Sequence, residues 1–196
     1  VLFATGNESK VKRFKNALLK RGIEIITIND LDCEADVLKN GNDAIENAII
    51  KAKAYAEVCD FPVFAMDDNL YIDGIPLGMQ PGMFVRRVNG KRLSDDEMIN
   101  YYSNLAHVYG DDEKLTCRWV YGMAVINEGK LSTYTWNKDD FCIVSKPSGK
   151  IKPGYTLDTI SVYKRLNKYF TDITPLDKEK MLNDESDVID FLCENL

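Results

Sequence analysis

A short stretch near the start of the chain combines residue types that suit phosphate binding. It follows the apolar run Val1 to Ala4 and opens a helical pattern, and it contains Thr5, Gly6, Asn7, Ser9 and Lys10. A strand that turns directly into a helix leaves the first helical N–H groups pointing at one place, where an anion can bind. Gly6 lets the backbone approach a ligand, and Lys10 can bring a positive charge to the same place. An ordinary strand-to-helix connection with Lys10 in solvent is the alternative.

A pair of carboxylates follows a second apolar run. Phe61 to Met66 predicts a short strand, and Asp67 and Asp68 come directly after it. Carboxylates at the C-terminal end of a strand in an α/β sheet lie where ligands usually bind. Because neighbouring strand residues face opposite ways, we expect only one of the two to point into a given site unless the strand has ended. A polar turn between two strands is the alternative.

A second lysine lies in a helix whose start is marked by a capping box, Asp43 and Glu46. Apolar residues at helical spacing continue this helix to about Val58. Lys51 within it is either a solvated surface lysine or a phosphate ligand that faces the first corner.

The elements that must position these side chains predict an α/β fold. A strand, a helix from Lys10 to Arg21 and a strand from Glu24 to Ile28 open the chain. Further along, the β-rich runs Leu115 to Ile126 and Leu131 to Trp136 are joined by a turn sequence, which predicts an antiparallel hairpin. We expect a long mixed sheet flanked by helices in one domain of two lobes, 1–196, with the antiparallel lobe over roughly 70–160.

Composition limits the function classes. A net charge of −6 argues against general nucleic-acid binding, which needs a basic face. No apolar run approaches the roughly 20 residues that span a bilayer, and no leader-like segment precedes the first strand, so we expect no membrane partner and a cytoplasmic location. Five cysteines without CxxC spacing indicate reduced thiols, and the lone His107 disfavours a histidine-based triad.

Four motifs, in this order and at this spacing, resemble the ITPase family, also called Ham1 or RdgB-like nucleoside triphosphate pyrophosphatases. The motifs are Thr5-Gly6-Asn7-x-x-Lys10, Glu46-Asn47-Ala48-x-x-Lys51, Asp67-x-x-Leu70-x-x-Asp73, and Pro81-Gly82 with Arg87. The resemblance covers roughly the first ninety residues well. It implies a two-lobed α/β fold, usually a homodimer, with the nucleotide in the cleft between the lobes.

The activity that the resemblance implies is hydrolysis of deaminated purine nucleoside triphosphates, such as ITP, dITP and XTP, to the monophosphate and pyrophosphate with Mg²⁺. Thr5 to Lys10 and Lys51 would hold the triphosphate, and Asp67 would bind the metal and activate the attacking water. The other substrate residues implied are Asp68, Arg87, Tyr155, Asp158 and Lys178.

Two acidic positions of the family are altered. Met66 stands where the family has the first of two acids, Asp68 replaces a hydroxyl residue, and Lys39 stands where a metal-associated glutamate is expected. Asp68, Glu34 or Asp36 could compensate, and we assign the metal to Asp67 and Asp68.

The base-reading motif of the family is also absent. Its Ser-His-Arg corresponds to Leu182, Asn183 and Asp184. We therefore expect a weakened preference for ITP and XTP over ordinary nucleotides, since an aspartate accepts a hydrogen bond from an amino group but does not pair with a purine carbonyl oxygen. The alternative is a degenerate nucleotide-binding paralogue, or a dimeric interaction protein, without turnover.

Overall fold

A mixed β-sheet with flanking helices organises the chain in the computed structural model, which describes residues 1–31, 35–37, 40–181 and 185–196, except the side chains of residues 179 and 180. The strands are β1 (Leu2–Phe3), β2 (Ile26–Thr27), β3 (Val63–Ile72), β4 (Arg87–Val88), β5 (Lys91–Arg92), β6 (Lys114–Asn127), β7 (Lys130–Val144), β8 (Ser161–Tyr163) and β9 (Lys168–Tyr169). The helices are α1 (Glu8–Lys20), α2 (Ala44–Ala56), α3 (Asp95–Tyr109), α4 (Pro175–Lys180) and α5 (Ser186–Asn195). Short 3-10 helices cover Ile28–Asp30, Leu77–Met79, Thr156–Thr159 and Phe170–Asp172.

The strand order confirms the predicted long mixed sheet. Seven strands are neighbours in the order β2-β1-β3-β6-β7-β8-β9, while β4 and β5 pair separately. β1 is parallel to both β2 and β3, whereas β8 is antiparallel to β7 and β9. A parallel edge that continues into antiparallel strands is what the opening strand-helix-strand pattern and the later hairpin predict.

Two compact units divide the chain. The first unit contains the segments 1–68, 121–136 and 184–196, and the second contains 69–120 and 137–183. The strands β3, β6 and β7 each contribute residues to both units.

In the first unit, α1 and α2 pack on opposite faces of the sheet. Phe3 stacks on Phe64 at a centroid distance of 4.3 Å and meets Phe14 of α1 edge-on at 6.0 Å. Val63 and Ala65 belong instead to a buried cluster with alanines of α2. Because side chains alternate along a strand, the even-numbered residues of β3 in this unit face α1 and the odd-numbered residues face α2.

The strand β3 is longer than predicted. It was expected to end at Met66, but it continues to Ile72. The backbones of Leu70 and Gly82 bond to each other in both directions at 2.9 and 3.0 Å, and Leu70 and Ile72 are buried in a core cluster of the second unit. The prediction that Asp67 and Asp68 follow the strand is therefore wrong, since both lie within it.

The hairpin of β6 and β7 confirms the prediction of antiparallel strands at this place. Its turn residues Glu128 and Gly129 have φ values of 49° and 76°, which is the geometry of a tight hairpin turn. β7 continues beyond Trp136 to Val144, because the buried segment Phe141 to Ile143 pairs with β8. Charged residues before that segment interrupt the β-rich pattern, so the sequence did not predict that the strand continues.

The thiols agree with the prediction of reduced cysteines as far as the described residues extend. Cys59, Cys117, Cys142 and Cys193 are all free. Cys33 lies outside the described residues. In the part of the chain that the structure describes, no helix has the length and apolar character to cross a membrane.

Candidate active site

The turn from β1 into α1 forms one wall of the candidate site. Asn7 caps α1, and its Oδ1 accepts a hydrogen bond from the backbone N–H of Ser9 at 2.9 Å. The Thr5 hydroxyl oxygen accepts from the backbone N–H of Asn7 at 3.1 Å. These two bonds hold the corner in the conformation that presents the start of a helix, where partial positive charge favours an anion.

Lys51 reaches the same place from α2. Only 8% of this residue is exposed. Its Nζ donates to the backbone carbonyl of Met66 at 2.9 Å and lies 3.2 Å from Oδ2 of Asp67. The alternative of a solvated surface lysine is therefore wrong, because Lys51 occupies the face of α2 that packs on the sheet.

The carboxylates of Asp67 and Asp68 lie on opposite faces of β3, as the alternation of strand residues requires. Asp67 faces α2 and pairs with Lys51. Asp68 faces α1, where its Oδ1 contacts Nζ of Lys10. The same Nζ lies 3.6 Å from Oδ1 of Asp67 and 3.5 Å from the carbonyl oxygen of Met66.

A cavity of about 390 Å³ opens between these groups. The predicted site residues that line it are Thr5, Gly6, Asn7, Lys10, Lys51 and Asp67. Of the described residues predicted for the phosphate and metal site, Ser9 and Asp68 do not line it. The volume lies in the range of small-molecule sites, and the lining offers two cations, one carboxylate and a helix N-terminus.

Tyr55 is a cavity residue that the sequence reasoning missed. It lies one helical turn after Lys51 in α2, so the helical period could have placed it on the same side. Ile28, in the 3-10 helix that follows β2, also lines the cavity. The sequence predicted Ile28 as the last residue of a strand, and that prediction gave no signal for this contact.

The comparisons with known proteins decide the family. The family model described as Ham1 family matches residues 1–183. This chain belongs to the Ham1 family. The dITP/XTP pyrophosphatase of Bacillus subtilis (strain 168) is 30% identical over 181 residues, which are 92% of this chain and 88% of that protein. The resemblance found in the sequence is thereby confirmed.

Solved structures agree on the fold of this Ham1 family member. The Ham1 protein of Staphylococcus aureus superimposes with a TM-score of 0.74 at 22% identity, covering 97% of this chain and 96% of that chain. A HAM1 protein of Coxiella burnetii gives a TM-score of 0.68 at 24% identity, covering 98% and 95%.

Met66, which stands at an altered acidic position of the family, is buried in this Ham1 chain. Only 1% of the residue is exposed, and its side chain lies on the α1 face of β3 together with that of Phe64. The backbone carbonyl of Met66, which any residue could supply, accepts hydrogen bonds from both site lysines. Of the suggested compensating acids, Asp36 is exposed, while Glu34, like Lys39, lies outside the described residues.

The remaining predicted substrate residues belong to the second unit. Arg87 is exposed in β4, and Lys178 is exposed in α4. Nζ of Lys152 lies 4.2 Å from the ring centroid of Tyr155 and 3.0 Å from Oδ2 of Asp158. Burial raises the pKa of Asp158, and the hydrogen bond from Lys152 opposes that rise.

Arg86, the neighbour of Arg87, has a structural role that the sequence reasoning missed. Its guanidinium donates to Oδ1 of Asp95 at 2.6 Å and to the hydroxyl of Thr156 at 2.9 Å. The Thr156 hydroxyl donates in turn to Asp95 at 2.7 Å. These bonds tie the start of α3 to the 3-10 helix Thr156–Thr159. The positions that correspond to the family's Ser-His-Arg motif, Leu182, Asn183 and Asp184, lie outside the described residues.

Proposed function

We propose that this chain hydrolyses nucleoside triphosphates with non-standard purine bases to the nucleoside monophosphate and pyrophosphate, and so removes them from the nucleotide pool. The observation that carries the proposal is the convergence of Lys10, Lys51 and Asp67 on one cavity at the N-terminus of α1. Membership of the Ham1 family and the relative named dITP/XTP pyrophosphatase confirm the expectation of a nucleotide pyrophosphatase.

The chemistry of the cavity fits attack on a phosphorus atom. Such a reaction requires neutralisation of charge on the phosphate oxygens and a positioned water molecule. Lys10, Lys51 and the first N–H groups of α1 supply positive charge to a phosphate chain. The carboxylate of Asp67, on the wall of the same cavity, can accept a hydrogen bond from water and orient it toward phosphorus.

Mg²⁺ suits this donor set. Magnesium is usually bound through one or two carboxylates together with substrate phosphates and its own waters. Asp67 lies on the cavity wall, and within the described residues no group of three or more histidine, cysteine or acidic side chains could hold a metal by itself. Asp67 would therefore hold the ion jointly with the substrate phosphates. When bound, the ion would neutralise charge on the phosphate oxygens.

Asp67→Asn tests this assignment. We expect the variant to lose Mg²⁺-dependent release of pyrophosphate while it retains a cooperative unfolding transition, because asparagine preserves the shape of the side chain but removes its charge. Asp60→Asn is the matched control, since Asp60 is an exposed carboxylate of the same unit. A rate near that of the wild type in Asp67→Asn would remove this residue from the mechanism.

Assembly as a homodimer, which the family resemblance implies, and a cytoplasmic location, which the sequence pattern led us to expect, stay predictions. Size-exclusion chromatography with light scattering measures the first. A mass of one chain at micromolar concentration would contradict it.

A further inference from the structure

The candidate site holds its own counter-ions. Asp68 contacts Lys10, and Asp67 pairs with Lys51. We propose that Asp68 is an internal counter-ion that competes with a phosphate chain for Lys10, and that it thereby makes triphosphate binding depend on a divalent cation. This inference rests on the proposed function, because it requires Lys10 to bind a substrate phosphate.

The position of Asp68 distinguishes its role from that of Asp67. Asp67 lines the cavity, whereas Asp68 faces α1 and does not line it, within the part of the chain that the structure describes. The side chains of Lys10 and Asp68 are only 17% and 24% exposed, so water screens their attraction less than it screens a surface pair. Any anion that binds Lys10 must therefore weaken a contact that already neutralises it.

The neighbouring cation on the same face of the sheet, Arg13, is paired with a different carboxylate. Nε of Arg13 donates to both carboxylate oxygens of Glu185 at 2.8 and 3.0 Å. The Arg13 guanidinium also lies 4.4 Å from the centroid of the Tyr121 ring. Since Arg13 has its own carboxylate partner, Lys10 is the cation that Asp68 contacts among the described residues.

The charge of the site follows from these pairs. Lys10 and Lys51 contribute two positive charges, and Asp67 and Asp68 contribute two negative charges, so the four side chains together are neutral. A triphosphate carries several negative charges, and a bound divalent cation would supply the missing positive charge. The family resemblance places an acid at Met66 and a hydroxyl residue at Asp68, so this chain keeps two carboxylates in the segment but carries one of them at a different position.

Asp68→Asn tests the proposal, with inorganic tripolyphosphate as the probe in calorimetry. In EDTA we expect the variant to bind the probe about tenfold more tightly than the wild type, which corresponds to about 1.4 kcal/mol. Asp68→Glu keeps the charge and should bind as the wild type does. Asp60→Asn changes the net charge at an exposed position and should leave the affinity within about twofold, since exposed charges are screened.

Adding Mg²⁺ should tighten binding of the probe more for the wild type than for Asp68→Asn. Unchanged or weaker binding of the probe by Asp68→Asn in EDTA would overturn the proposal. If that variant also bound the probe more weakly than the wild type with Mg²⁺ present, Asp68 would be identified as a metal ligand instead. Asp68→Ser carries the same expectation and guards against a folding defect of the asparagine variant.

Failure of the proposed function gives a different result. A wild-type protein that binds tripolyphosphate but releases no pyrophosphate from any nucleoside triphosphate with Mg²⁺ contradicts the function alone. A wild-type protein that turns over nucleotides, paired with an Asp68→Asn variant of unchanged metal-free affinity, contradicts the counter-ion alone. If no variant binds tripolyphosphate in EDTA, the counter-ion proposal is also contradicted, because removing the charge of Asp68 would then not make Lys10 available to a phosphate chain.

Discussion

Replacing Lys51 by methionine tests the buried ion pair on which the site is built. The substitution keeps a long apolar side chain but removes the ammonium group, which lies 3.2 Å from Oδ2 of Asp67 and 2.9 Å from the carbonyl oxygen of Met66. Removing one partner of a buried ion pair costs about 3 to 5 kcal/mol, because the other charge is left without compensation. Here Lys10 stays 3.6 Å from Asp67 and the carboxylate is 18% exposed, so we expect a loss of about 2 kcal/mol.

Urea denaturation in metal-free and phosphate-free buffer measures this loss, followed by tryptophan fluorescence and circular dichroism. Lys53→Met is the matched control, since Lys53 lies in the same helix but is exposed, and it should change stability by no more than about 0.5 kcal/mol. Asp67→Asn completes a double-mutant cycle with Lys51→Met. We expect the double variant to be more stable than the sum of the single losses predicts, by about 1 to 2 kcal/mol.

The reasoning fails if Lys51→Met costs no more than Lys53→Met. It also fails if the losses from Lys51→Met and Asp67→Asn are additive, since two residues that share an ion pair must show coupling. The cycle is independent of catalysis, so it tests the geometry of the site without assuming a substrate.

Three further predictions concern stability and reactivity. Gly122→Ala should destabilise the protein by about 3 kcal/mol in urea denaturation, because a Cβ would lie 2.4 Å from backbone atoms in the first turn of α2; a loss below about 1 kcal/mol would contradict this. Hydrogen bonds from Thr174 and an ion pair with Lys168 lower the pKa of Asp177, so its stabilisation is present above about pH 4 and is lost as the pH falls below that value. Acid titration should therefore show a shallower loss of stability for Asp177→Asn than for the wild type, and parallel curves would refute the assignment. Burial raises the pKa of Cys117 to about 12, so native protein treated with iodoacetamide at about pH 8 should carry no label there, and rapid labelling by mass spectrometry would show that the thiol is accessible.

The corner between β1 and α1 could be predicted because its signals are local. Asn7 precedes a helical pattern, and its side chain accepts a hydrogen bond from the backbone N–H two residues later. This capping bond depends only on neighbouring residues. Lys10 follows at a fixed helical distance. The alternation of strand residues likewise gave the opposite orientations of Asp67 and Asp68, although it did not give the end of the strand.

The position of Lys51 could not be decided from the helix alone. A lysine among alanines fits both a solvated face and a buried ion pair, and the choice depends on a carboxylate that comes from another element, β3. Asp67 supplies it across the sheet face, at 3.2 Å. Nonlocal pairing of this kind leaves no periodic trace in the sequence. The extension of β3 was missed for a related reason, since its last residues are held by Gly82 and by burial in the second unit.

Analysis of products tests the central claim most directly. Purified wild-type protein is incubated with Mg²⁺ and, in separate reactions, with ITP, XTP, dITP, ATP and GTP, and the products are separated by anion-exchange chromatography. The proposed function predicts equal amounts of nucleoside monophosphate and pyrophosphate, with ITP, dITP or XTP among the substrates that are cleaved. Release of a nucleoside diphosphate and inorganic phosphate, or no cleavage of any of the five, would contradict it.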